Sequence, residues 1–150
     1  RTCVPTTADR QAGERLLGHL ARLGPAVLVP SHPYLAQRAG CAPQAHRMAI
    51  GDLLYFGGPV GDALERDLRR AVCERRYSAV VTNGPWRYDA ELFRAYGDPQ
   101  PLPELDDAFW TRTGAITRPS ALYLPRTSPL TPAGAGGACP PEAFAPAGSS

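Results

Sequence analysis

His32 and His46, with Tyr34, Asp52 and Asn83 nearby in the chain, are the residues whose types could do chemistry together. Two imidazoles can move protons near neutral pH, a phenol and an amide can hold hydroxyls or phosphate oxygens, and a carboxylate can orient a histidine. That set suits a sugar or a phosphate. A cheaper account is that His32 caps a helix, Asn83 opens a turn with Gly84, and Asp52 closes a local hydrogen bond. As metal ligands, His32, His46 and Asp52 match no compact zinc spacing. Ser31 beside His32 lacks the G-x-S-x-G elbow of a serine hydrolase, and adjacent residues rarely face one another. Neither G-x-G-x-x-G nor G-x-x-x-x-G-K-[ST] occurs, and a chain with no lysine has no Walker A lysine. No cofactor is expected.

The elements that must position these residues are legible in outline. "PTTADRQAGERLLGHLARLGP" spaces Ala12, Leu16, Leu20 and Leu23 on one helical face and stops at Gly24-Pro25. "AVLVP" follows as a short buried-type strand. Ser31 or His32 then caps a helix with Pro33 in its first turn, running to Gly40. "CAPQAH" reads as loop and "RMAIGDLLYFGG" as a short apolar element ended by Gly57-Gly58. "GDALERDLRRAVCERRY" is a second strong helix with Leu64, Leu68, Ala71 and Val72 on one face. It leads to "SAVVTNG", a second buried-type strand. "WRYDAELFRAYG" suits a short helix, "DPQPLPELDD" a proline-rich loop, and "ALYLP" a third strand.

Helix and strand alternate at short spacing, so the expected fold class is α/β. Residues 26–29 and 79–82, taken as parallel neighbours, give a small three-layer Rossmann-like or flavodoxin-like sandwich with a short, mostly parallel sheet. Ligands of such sheets sit beyond the carboxyl ends of the strands, where "PSHPY" and "TNG" fall. His32, Tyr34, His46, Asp52 and Asn83 are therefore the expected ligand-binding residues. Residues 1–126 are read as one domain and 127–150, rich in Pro, Ala and Gly, as a flexible tail.

With 150 residues, 43% of them hydrophobic and 20% charged, the chain can build one core. The net charge of +2 is interspersed and forms no stripe, so no nucleic-acid partner is expected. No window has the length of apolar residues needed to span a bilayer, and the start at Arg1 lacks a signal-peptide core. The piece is read as soluble and as a domain cut from something larger. All sixteen basic residues are arginine, a bias of GC-rich bacterial coding.

Cys3, Cys41, Cys73 and Cys139 form no C-x-x-C pair and permit two disulfides or free thiols. At 100° per residue Cys73 lies about 180° from Leu64, on the arginine-rich side and away from the core. A disulfide there is the favoured reading over a reactive thiol.

"VLVPSHPYLAQRAGCAPQAHRMAIGDLL", "LRRAVCERRYSAVVTNG" and "GAITRPSALYLPR" together resemble the soluble C-terminal region of bacterial polytopic glycosyltransferases of the protein-mannosyltransferase and aminoarabinose-transferase class. The resemblance covers roughly residues 5 to 126 and rests on V-L-V-P-x-H-P, H-x-M-A-x-x-D and T-R-P. It implies an extracytoplasmic, noncatalytic domain at the bacterial plasma membrane. Its partner would be the transmembrane portion of the same polypeptide, and its ligand a glycan or a polyprenyl-phosphate sugar. The acidic catalytic residues would lie upstream. Two other functions fit the residues alone. One is a small hydrolase or transferase using a His/Asp pair, and the other is a protein-interaction module built around Trp110.

Overall fold

Thr6 closes the start of the first helix, α1 (Thr7–Arg22). Its hydroxyl accepts the Asp9 N–H at 3.1 Å, and the Asp9 carboxylate accepts the Thr6 N–H at 2.8 Å. This reciprocal capping box satisfies two backbone donors that the helix leaves free. Ala12, Leu16 and Leu20 are fully buried along the face that the spacing predicts. The computed structural model describes residues 4–102, Leu105 and residues 118–127. The 128–150 stretch and Trp110 lie outside the described residues.

After α1 come β1 (Val27–Leu28), α2 (Pro33–Arg38), α3 (Arg47–Phe56) and α4 (Gly58–Cys73). Next are β2 (Ala79–Thr82), α5 (Asp89–Ala95), β3 (Gln100–Pro101) and β4 (Ala121–Tyr123). The sheet order is β1-β2-β4-β3. Val27 pairs with Ala79 and Leu28 with Val80, so β1 and β2 are parallel neighbours as expected. The rest departs from the expected mostly parallel sheet: β4 runs antiparallel to both β2 and β3, which makes the sheet mixed. An apolar run such as "ALYLP" reports burial, not direction. Direction is set by the return of the chain from β3 at the far edge, and by the Ser120 N–H donating to the Thr82 carbonyl at 2.8 Å.

Alternate strand residues face opposite layers. Val27, Val29, Ala79, Val81 and Leu122 pack with Leu16 and Leu20 of α1 and Leu35 of α2. Leu28, Val80 and Tyr123 pack with Val72 of α4 and with Leu92, Ala95 and Tyr96 of α5. Helices thus cover both faces, which gives three layers and explains why β1 and β2 read as continuous apolar runs.

Cys73 corrects one expectation. It is fully buried, although it is disulfide-bonded as the favoured reading had it. Ala71, Val72 and Cys73 are consecutive and all buried, so the last turn of α4 is covered over most of its circumference. An angle measured from Leu64, which is only half-buried, does not define the core there. Cys41 is a buried free thiol whose Sγ donates to the Gly24 carbonyl at 3.5 Å.

β1 is an edge strand, yet its outer side is closed. Gln44 Oε1 accepts the Val29 N–H at 2.9 Å, and its Nε2 donates to the Val27 carbonyl. One side-chain amide therefore imitates a neighbouring strand and blocks edge pairing. Gln44→Ala, which leaves both backbone groups without that partner, is expected to lower stability by about 1–3 kcal/mol in urea unfolding. Gln44→Glu, which sets a carboxylate oxygen against the Val27 carbonyl oxygen, should cost at least as much as Gln44→Ala at neutral pH.

Candidate functional site

The carboxyl ends of β1 and β2 lie side by side, and the residues that leave them meet. From β1 the chain exits through Pro30 and Ser31, and from β2 through Asn83 and Gly84. Ser31 Oγ–H donates to Asn83 Oδ1 at 2.5 Å across 52 residues of sequence. A narrow crevice, without room for a water-sized molecule, lies here, lined by Pro30, Ser31, Arg47, Thr82, Asn83, Gly84 and Trp86. The position is the one expected for a ligand on such a sheet.

α3 is pinned over this edge by its first residues. The Arg47 N–H donates to the Pro30 carbonyl at 2.7 Å. His46 is the N-cap: its Nδ1 accepts the Met48 N–H at 3.1 Å. That assigns the remaining proton to Nε2, which donates to the Ser31 carbonyl at 2.9 Å. Both ring nitrogens are thus bound to backbone. A proton added at Nδ1 would face the Met48 N–H, so His46 cannot serve as a base without giving up the cap.

His32 sits at the N-cap position of α2 but makes no side-chain capping bond, contrary to the local reading of its role. Its ring stands edge-on to Tyr34, with centroids 6.4 Å apart, and its Nε2 is buried without a hydrogen-bond partner among the described residues. Burial, and secondarily the neighbouring His46, hold its pKa below the usual 6.5. Tyr34 is itself half exposed, and burial of its ring pushes its phenol upward. Asp52 is exposed on α3 and forms no hydrogen bond or ion pair among the described residues.

The structure joins His46 and Asn83 through Ser31 and sets Tyr34 beside His32, but of the five expected residues Asn83 alone lines the crevice, and Asp52 bonds neither histidine. The structure adds Ser31, Arg47 and Trp86. Arg47 was legible as the residue after His46, but only tertiary contact shows it reaching Asn83 Oδ1 and Ser31 Oγ, at 3.4 Å and 3.5 Å.

A second polar cluster had no sequence signal. Buried Glu91 of α5 pairs with Arg69 of α4, while Glu65 bonds Arg69 at 3.3 Å and Arg87 at 3.2 Å. Both guanidiniums lie within 6 Å of the Tyr88 ring, at 5.9 Å and 5.8 Å, and Trp86 meets that ring edge-on at 4.8 Å. Cations and carboxylates neutralise each other here, and the cluster ties α5 to α4. Its carboxylates do not point to catalysis.

Among the described residues no group of three or more His, Cys, Asp or Glu could hold a metal ion, and no helix is long and apolar enough to cross a membrane. Comparisons with protein-family models, with curated proteins and with solved structures gave no match.

Two outcomes follow from the histidine geometry. His46→Ala should cost about 0.5–2 kcal/mol through loss of the cap, and His46→Asn, a good capping residue, should recover most of it in thermal unfolding. The second concerns pH. Because folding lowers the His32 pKa, the unfolded chain takes up that proton more readily below 6.5. The stability that His32 contributes is complete above that value and is lost as pH falls through the lowered folded pKa. Urea midpoints measured from pH 8 to pH 5 should fall less steeply in His32→Gln than in the parent.

Proposed function

We propose that this chain is a noncatalytic, extracytoplasmic domain of a membrane glycosyltransferase-like protein, docked against the transmembrane portion of its own polypeptide and presenting the β1–β2 edge to an acceptor glycan or lipid-linked sugar. In this reading the sandwich is Rossmann-like, with its ligand edge at the carboxyl ends of the parallel pair.

The observation that carries the proposal is α3. Its sequence is largely apolar, yet none of its residues is buried. Met48 is 62% exposed, Tyr55 87% and Phe56 83%, and Val60 at the start of α4 is 69% exposed. Apolar surface gathered on one hairpin is the mark of an interaction site. Tyr and Phe at the hairpin tip suit a neighbour at the membrane boundary. The helix is held out by a close backbone contact: a Cβ on Gly61 would lie 2.7 Å from the Leu53 carbonyl oxygen, so α3 and α4 touch directly. Gly57 and Gly58, at φ +65° and +75°, make the turn between them.

The noncatalytic part is supported by the edge itself. His46 is committed to backbone, Ser31 gives its proton to an amide rather than to a base, and Asp52 joins neither histidine. A small hydrolase or transferase needs one of those pairs in hydrogen-bond reach.

Determining the coding sequence upstream of Arg1 is the direct test. Several hydrophobic spans are expected, with acidic residues in the first extracytoplasmic loop. A frame opening close to Arg1 overturns the membrane reading. The 150-residue chain alone should show no turnover of sugar esters or glycosides. A rate abolished by His32→Ala but retained in folded controls overturns the noncatalytic reading.

A further inference from the structure

Arg47 is a cation that no carboxylate neutralises among the described residues. Arg69, Arg76 and Arg87 each bond a glutamate. Arg47 instead reaches only the neutral oxygens of Asn83 and Ser31, at the long distances of 3.4 Å and 3.5 Å, and forms no ion pair among the described residues. Such contacts orient a guanidinium without satisfying its five donors. Its backbone is fixed by the bond to Pro30, so the side chain stays at the strand edge.

Asn83 adds a second outward donor. Ser31 Oγ–H and the Arg47 guanidinium both approach the same side-chain atom of Asn83, which identifies that atom as the oxygen, since an amide NH₂ there would oppose a cation. The amide nitrogen therefore faces the other way, and it makes no hydrogen bond among the described residues. Gly84, at φ +135°, has nothing within 4 Å of where a Cβ would stand among the described residues. No acidic residue lines the crevice.

We propose that Arg47 and Asn83 form an oxyanion subsite for the phosphate group of a small phosphate monoester, seated at the mouth of the crevice between β1 and β2. The crevice itself has no room for a water-sized molecule, so the phosphate lies outside it, at the mouth, against the Arg47 and Asn83 donors, and the rest of the ligand extends away from the sheet edge. Arg47 supplies charge-assisted hydrogen bonds and Asn83 a neutral one, with Ser31 locking the amide's orientation. The subsite rests on the reading of this edge as the ligand-facing one.

The test is an NMR titration of the 150-residue chain with inorganic phosphate and with glucose 1-phosphate, at constant ionic strength and with chloride as control. Saturable shifts at the backbone amides of Ser31, Arg47, Asn83 and Gly84 are expected with either probe. Arg47→Met should weaken binding about tenfold or more, and Arg47→Lys, which keeps charge but loses the fork, by less. Arg47 is exposed, so an unchanged unfolding midpoint will show that Arg47→Met still folds. Shifts spread over the arginines of α1 and α4, shifts unchanged in Arg47→Met, or no saturable response would each overturn the subsite. Phosphate binding with no membrane spans upstream of Arg1 would remove the membrane reading alone, while spans without phosphate binding would remove the subsite alone.

Discussion

The parallel pairing of β1 with β2 is the constraint from which the rest of the molecule follows. It is short: Val27 against Ala79 and Leu28 against Val80. A parallel pair requires the chain to cross from the end of one strand to the start of the next, and α2, α3 and α4 make up that crossover. It also places the exits of both strands at one end. Ser31 and Asn83, far apart in sequence, meet because the ladder ends where it does. Burial on both faces gives the short pair its stability, since every residue from Val27 to Pro30 and from Ala79 to Thr82 is buried.

Such a short ladder leaves backbone groups that secondary structure alone does not satisfy, and polar side chains take up much of the remainder. Gln44 completes the outer side of β1, and His46 caps α3 while holding the Ser31 carbonyl. Tyr96 does similar work before β2: its hydroxyl accepts the Tyr77 N–H at 3.2 Å and donates to the Tyr77 carbonyl at 3.1 Å. Burial pushes that phenol up to about 12, so it keeps its proton and its donor role at any physiological pH. Buried backbone groups without partners are costly, which is why residues of catalytic type are employed here as structural ones.

Much of this was readable in advance, for physical reasons. The face of α1, the two buried strands and the meeting of "PSHPY" with "TNG" come from periodicity, breakers and the geometry of parallel sheets. Three features were not readable. The direction of β4 depends on the order in which strands dock, and an apolar run carries no sign of it. The burial of Cys73 depends on what surrounds the last turn of α4, whereas a helical wheel assumes one covered face. The role of Arg47 depends on a contact with Asn83 across 36 residues, and no local spacing encodes it. His46 shows the opposite limit: its residue type suggested chemistry, and only the positions of two backbone groups reveal a cap.

α3 joins the two parts of the functional proposal into one rigid piece. Its ten residues span about 15 Å at 1.5 Å per residue. Arg47 stands at one end, over the strand edge, and Tyr55 and Phe56 at the other, exposed beside the Gly57-Gly58 turn. The first end is fixed to Pro30 by the Arg47 N–H and to Ser31 by the His46 imidazole, and the second to α4 through the contact at Gly61. A helix held at both ends transmits position. A partner covering the aromatic end, as proposed, would therefore set where the crevice faces, and an anion bound by Arg47 would sit about three helical turns from it. An apolar helix excluded from the core is costly for a free-standing domain, but it is intelligible as the element that orients a binding edge relative to a neighbouring surface.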